Sequence, residues 1–126
     1  MADTAEPGAG RRRSPVLAIV WFALAAAGLV GTWVFNIAFV VDPGGIGYLE
    51  GWFANAASIS ASIDLLVVAA AAAIFMLVEG ARLGWARWVW LLVVLSGVTA
   101  IACTFPLFLG LRELALRRRD RRAIQS

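Results

Sequence analysis

Long apolar runs separated by short polar segments dominate the chain. From Pro15 to Val41 the only strongly polar side chain is Asn36, and from Ala57 to Val78 the only charge is Asp64. A third run, from 88 to 111, contains no charge. Each run is long enough for a membrane helix, because about 20 largely apolar residues cross a bilayer core of about 30 Å. The pattern predicts an all-α membrane protein with three transmembrane helices.

The segments between these runs predict short connections. Asp42-Pro-Gly-Gly is a strong turn signal that ends the first helix. The following segment, 46–54, contains Tyr48, Trp52 and Phe53, and is either a short helix at the membrane interface or a plain hydrophobic loop. The second link, 79–87, is short enough only for a tight turn. We therefore divide the chain into a flexible basic N-terminal tail (1–14), a three-helix transmembrane domain (15–113) and an arginine-rich C-terminal tail (114–126).

Composition supports a membrane protein and offers little for catalysis. Hydrophobic residues make up 62% of the chain and charged residues 15%, against roughly 45–50% and about 25% in soluble domains. There is no His, the commonest metal ligand and general base. The single cysteine, Cys103, is expected to be a small packing residue. We predict no catalytic residue, no metal site and no cofactor.

The arginines bear on orientation and partners. With three crossings, Arg11, Arg12, Arg13, Arg82 and Arg87 lie on one side of the membrane and the other six arginines on the opposite side. This count is nearly balanced, so the first helix decides, and we predict a multi-pass inner-membrane protein with a cytoplasmic N-terminus. The arginine tail fits a contact with the lipid bilayer, anionic lipid in particular, better than one with nucleic acid.

Polar residues inside the apolar runs are the candidates for a site. An Asp at the centre of a membrane helix costs about 2.5–3.5 kcal/mol on insertion scales, so Asp64 is expected to face protein rather than lipid. Three antiparallel helices bring Asn36 and Thr104 to a similar depth, and Arg112 just above them. The predicted intramembrane polar cluster consists of Asn36, Asp64, Thr104, Arg112 and Glu113, with Arg112 reaching down to Asp64.

Two interpretations of this cluster stay open. In the first, its hydrogen bonds hold the helices in register. In the second, the buried carboxyl of Asp64 carries a proton, binds a cation or acts on a lipid-soluble ligand. Separately, Glu79 and Arg82 are three residues apart and are predicted to form an ion pair at a helix end. Pro106 leaves the carbonyl of Ala102 without its usual donor.

Small residues predict close contacts between helices. Ala23, Ala27 and Gly31 recur every four residues, which makes one stripe of the first helix narrow enough for close approach of another backbone. Such a stripe serves either the core of this chain or a neighbouring chain. We therefore expect a homo-oligomer or a complex with a membrane-protein partner.

Four motifs resemble a known family. Residues 53–55 read FAN, Asp64 follows, residues 79–84 read EGARLG, and residues 106–113 read PLFLGLRE. Their order and spacing resemble a family of small bacterial membrane proteins known as domain of unknown function 2834, over residues 21–113. The resemblance implies no activity. It implies that the positions to examine first are Asp64, Glu79, Arg82, Arg112 and Glu113.

These observations leave two functions for testing. The first is a non-enzymatic accessory or packing subunit whose polar cluster is structural. The alternative is a ligand-handling bundle in which Asp64 binds or protonates an isoprenoid-like molecule, or conducts an ion when several copies assemble.

Overall fold

The fold is all-helical, as the apolar pattern predicts. The computed structural model describes residues 14–125, which contain no strand. Its helices, in chain order, are α1 (Pro15–Val41), α2 (Tyr48–Trp52), α3 (Ala56–Arg82), α4 (Ala86–Thr99) and α5 (Ile101–Gln125).

Helices α1 and α3 are the two long apolar helices, and side-chain caps fix where they begin. The Ser14 hydroxyl accepts a hydrogen bond from the Val16 amide, and the Asn55 side chain accepts from the amides of Ala57 and Ser58. Each helix has 27 residues and is therefore about 40 Å long. Both are long and apolar enough to span a membrane.

Both predicted turns are confirmed. Gly44 and Gly45 have φ angles of 61° and 82°, and the Gly44 amide donates to the carboxylate of Asp42. In the second link, Gly84 has a φ of 77°. The left-handed region favours glycine, which explains why the chain turns at these positions. Between the two turns, the segment that allowed either a helix or a loop forms α2.

The third apolar run forms two helices instead of one. Ala100 separates α4 from α5 with φ 90° and ψ 140°, a conformation that breaks a helix. Helix α4 has 14 residues and a length of about 21 Å, which is shorter than a bilayer core of about 30 Å. A third membrane span is therefore not confirmed.

Helices α4 and α5 form an antiparallel hairpin. Val89, near the start of α4, packs with Met76 and Phe108 in the buried core cluster. In one continuous helix, Val89 and Phe108 would be about 28 Å apart. Their contact therefore requires the chain to reverse direction at Ala100.

Helix α5 packs along α1 through a seam of small residues. A Cβ atom on Gly28 would collide with the carbonyl oxygen of Ala102, and one on Gly110 would lie 2.8 Å from the ring of Phe22. Ala25 is buried in this seam. The stripe named in the sequence analysis points elsewhere, because its three residues, Ala23, Ala27 and Gly31, are exposed.

These contacts define two ends of the bundle. Helix α1 runs antiparallel to α5, and α5 runs parallel to α3. The "arginine end" is where α1 and α4 begin and where α3 ends, and α5 leaves the bundle there. The "link end" contains α2 and residues 42–55. Residues 114–125, predicted as a tail, continue α5 as helix, whereas residues 1–13 of the predicted N-terminal tail lie outside the described residues.

Candidate functional site

In the part of the chain that the structure describes, an ion pair joins α3 and α5 at the arginine end. The Arg112 Nε of α5 donates to the Glu79 Oε1 of α3 over 2.7 Å. The two side chains are 29% and 14% exposed, so the pair is largely shielded from solvent. The predicted pair of Glu79 with Arg82 is also present, but its 3.7 Å separation and the 75% exposure of Arg82 make it the weaker contact. We call Glu79, Arg82 and Arg112 the "carboxylate clamp".

The position of Arg112 differs from the sequence prediction. A single third helix would carry Arg112 to the link end, above Asp64. Because the chain reverses at Ala100, α5 returns to the arginine end, and Arg112 pairs with Glu79 instead of Asp64. Glu113, the next residue of α5, also lies at the arginine end and is 4% exposed. The structure therefore does not bring the five residues of the predicted cluster together.

Asn36 takes part in the closure of the link end. The Tyr48 hydroxyl donates to the Asn36 Oδ1 over 2.9 Å, which joins α2 to α1. The Ser62 hydroxyl donates to the Trp52 carbonyl over 3.0 Å, which joins α3 to α2. The short helix α2 is thus hydrogen-bonded both to α1 near its C-terminal end and to α3 near its N-terminal end.

Asp64 is exposed on the surface of the single chain. It lies eight residues after the start of α3, about 12 Å along the helix axis. Phe75 comes eleven residues later and so lies on nearly the same helix face, where its ring meets those of Phe105 and Phe108 of α5. Asp64 therefore lies on the side of α3 that faces α5, beyond the point where the hairpin turns back.

The hydroxyl groups of the α4–α5 hairpin make local bonds. Thr104 is 2% exposed, and its hydroxyl donates to the Ala100 carbonyl over 3.4 Å. Ser96 and Thr99 donate in the same way to carbonyls of the preceding turn. Such bonds satisfy a buried hydroxyl without a partner on another helix. Thr104 therefore contributes to the hairpin itself.

An apolar groove lies between α4 and α5 near the arginine end. We call it the tryptophan groove; its volume is about 330 Å³, and it is lined chiefly by Trp85, Trp88, Leu91, Leu92, Phe108 and Leu111. The sequence does not reveal this groove, because the groove depends on the hairpin, which brings the beginning of α4 beside the middle of α5. The described residues hold no group of three or more His, Cys, Asp or Glu side chains arranged to bind a metal ion.

Taken together, the fold and these contacts define an all-helical protein with two helices compatible with membrane spans and an ion-paired clamp at one end. The family model described as Protein of unknown function DUF2834 matches residues 20–114. The chain belongs to this family, as its motifs indicate. No curated protein and no solved structure matches it.

Proposed function

We propose that this chain is a small integral protein of the bacterial inner membrane and acts as a non-enzymatic accessory subunit. The observation that carries the proposal is the carboxylate clamp, in which Glu79 uses both carboxylate oxygens to hold Arg112 and Arg82. The shielded pair between Glu79 and Arg112 joins α5 to α3 and so fixes the relative position of the two helices. The outer surface of the bundle is largely apolar, with Phe35, Val40 and Trp88 more than 60% exposed, as suits contact with lipid.

The distribution of charge supports a cytoplasmic arginine end. The cations of α3, α4 and α5 lie at or beyond this end of the bundle, and Arg11, Arg12 and Arg13 immediately precede α1. Residues 42–55 at the link end contain Asp42 and Glu50 but no cation. Lys and Arg accumulate in cytoplasmic segments. In our proposal both ends of the chain are cytoplasmic, α1 and α3 span the membrane, and the α4–α5 hairpin enters and leaves from the cytoplasmic side.

The outer face of α1 supports an accessory role. Helix α5 occupies the space beside Gly28. Nothing lies within 4 Å of the Cβ position at Gly31, and Ala23 and Ala27 on the same face of α1 are exposed. Small residues allow close helix contacts in membranes. We propose that a second copy or another membrane protein meets the chain on this face.

A second candidate function depends on Asp64. Its carboxylate is exposed within an apolar helix, and the α4–α5 hairpin ends before reaching its level. In a membrane, an exposed carboxylate at this position is costly unless a ligand, an ion or another chain pairs with it. This observation favours the ligand-handling function in which Asp64 binds a lipid-soluble molecule or an ion.

The substitution Asp64→Asn separates the two functions. As an accessory subunit, the variant is expected to fold and to purify in native nanodiscs with the same stoichiometric protein partner or copy number as the wild type. The measurement is mass spectrometry of everything that remains bound to each protein. A lipid-soluble molecule found only on the wild type would contradict the accessory function and support the alternative.

A further inference from the structure

We propose that the tryptophan groove is a binding site for one anionic phospholipid. The proposal rests on the membrane orientation given above, in which the arginine end lies at the cytoplasmic surface. The groove is lined almost entirely by apolar side chains and opens on the outside of the bundle, between α4 and α5. Such a surface fits an acyl chain lying parallel to the helices.

The tryptophans place the mouth of the groove at the level of the lipid headgroups. Trp85 lies just before α4 and Trp88 lies in its first turn, at the arginine end. Trp88 is 67% exposed although its ring is large and apolar. Tryptophans of this kind accumulate at the boundary between hydrocarbon and headgroups. From this boundary the groove continues toward Leu91 and Leu92, deeper in the hairpin.

Two exposed arginines extend the groove toward the headgroup. Arg87 precedes Leu91 by four residues, so both lie on the same face of α4. Arg118 follows Leu111 by seven residues, or nearly two full turns, so it continues the α5 side of the groove about 10 Å further out. Whereas Arg112 is held by Glu79, the side chains of Arg87 and Arg118 are exposed.

An apolar groove with two exposed arginines near its mouth favours an anionic phospholipid as the ligand. A guanidinium binds phosphate with paired hydrogen bonds, and basic pockets between membrane helices on the cytoplasmic side hold anionic headgroups. A zwitterionic lipid would fill the same apolar groove but would gain less from the two cations. The site therefore discriminates by headgroup charge and retains the lipid through its acyl chain.

The test is native mass spectrometry of the full-length protein released from nanodiscs of equal parts phosphatidylglycerol and phosphatidylcholine. We expect the wild type to retain phosphatidylglycerol over phosphatidylcholine by about tenfold, because each of the two arginines attracts an anionic headgroup more strongly than a zwitterionic one. The double variant Arg87→Gln/Arg118→Gln should lose most of this preference. The matched control, Arg117→Gln/Arg121→Gln, removes the same charge from another face of α5, away from the groove, and should keep it.

A further variant separates a built site from general attraction of lipid to a basic surface. Leu91→Trp places a large ring in the groove and leaves the charge unchanged, so it should reduce the retained lipid. Equal retention by Leu91→Trp and the wild type, or equal preference in both arginine double variants, would overturn the lipid site while leaving the proposed function intact. A wild-type protein that does not enter nanodiscs would overturn both.

Discussion

Gly28→Ala is expected to destabilise the bundle by about 2–3 kcal/mol, a cost in the range for overpacking a close contact. The added methyl would collide with the carbonyl of Ala102, and both the oxygen and the carbon of that carbonyl belong to the backbone of α5. A backbone cannot rotate away as a flexible side chain can. Helix α1 would have to separate from α5 along their seam. Unfolding in mixed micelles with increasing SDS, followed by circular dichroism, measures the change.

Gly31→Ala is the matched control, three residues further along the same helix. Nothing lies within 4 Å of the Cβ position at Gly31. The same substitution there adds a better helix former without a collision, so the free energy of unfolding of the chain without a partner on this face should stay the same or rise by up to about 1 kcal/mol. Equal losses in both variants would show that α1 does not pack on α5 through Gly28.

Arg112→Gln is expected to lower the free energy of unfolding by about 2 kcal/mol, the scale of a hydrogen bond to a charged group whose partner stays shielded. The substitution removes the 2.7 Å bond to Glu79, whose side chain is only 14% exposed. Arg82 at 3.7 Å is too exposed to replace the lost partner. The same SDS titration measures this loss.

Arg82→Gln removes the same charge from the same carboxylate and provides the comparison. Because the side chain of Arg82 is 75% exposed, its pair with Glu79 should contribute less than about 0.5 kcal/mol. If Arg82→Gln were as damaging as Arg112→Gln, Glu79 would be held mainly within α3 and the clamp would not join two helices.

The long helices and the turns were predictable because their signals are local. The apolar runs that give α1 and α3 are uninterrupted by charge except at Asp64, and glycines occur where the chain needs positive φ. The reversal at Ala100 has no such signal. An alanine with a φ of 90° occupies a conformation that non-glycine residues rarely adopt, so the surrounding contacts impose it. Gly97, the residue best suited to a break, remains inside α4.

The candidate site failed to assemble as predicted for the same reason. If the third run were one continuous helix, Arg112 would lie beside Asp64. Because the hairpin reverses the direction of the chain, Arg112 lies at the arginine end and pairs with Glu79 instead. The family motifs locate the clamp better than depth along the helices does, because Glu79, Arg82 and Arg112 all lie on motif positions.

Pro106 shows how sequence and structure complement each other. The sequence predicts that a proline at this position leaves the Ala102 carbonyl without its usual donor. In the structure that carbonyl lies directly against Gly28. A residue without a side chain is needed where the freed carbonyl meets the neighbouring helix. Sequence alone could not identify Gly28, because the partner of α1 is α5 only once the hairpin has formed.

The central claim is that α5 returns to the arginine end, where α4 begins, so that both ends of the chain lie on one side of the membrane. Labelling with a membrane-impermeant maleimide tests it in a Cys103→Ala background carrying either Ala54→Cys, at the link end, or Gln125→Cys, at the end of α5. In intact spheroplasts we expect Ala54→Cys to react, and Gln125→Cys to react only after the membrane is permeabilised. Reaction of both cysteines in intact spheroplasts would contradict the hairpin and restore a third span.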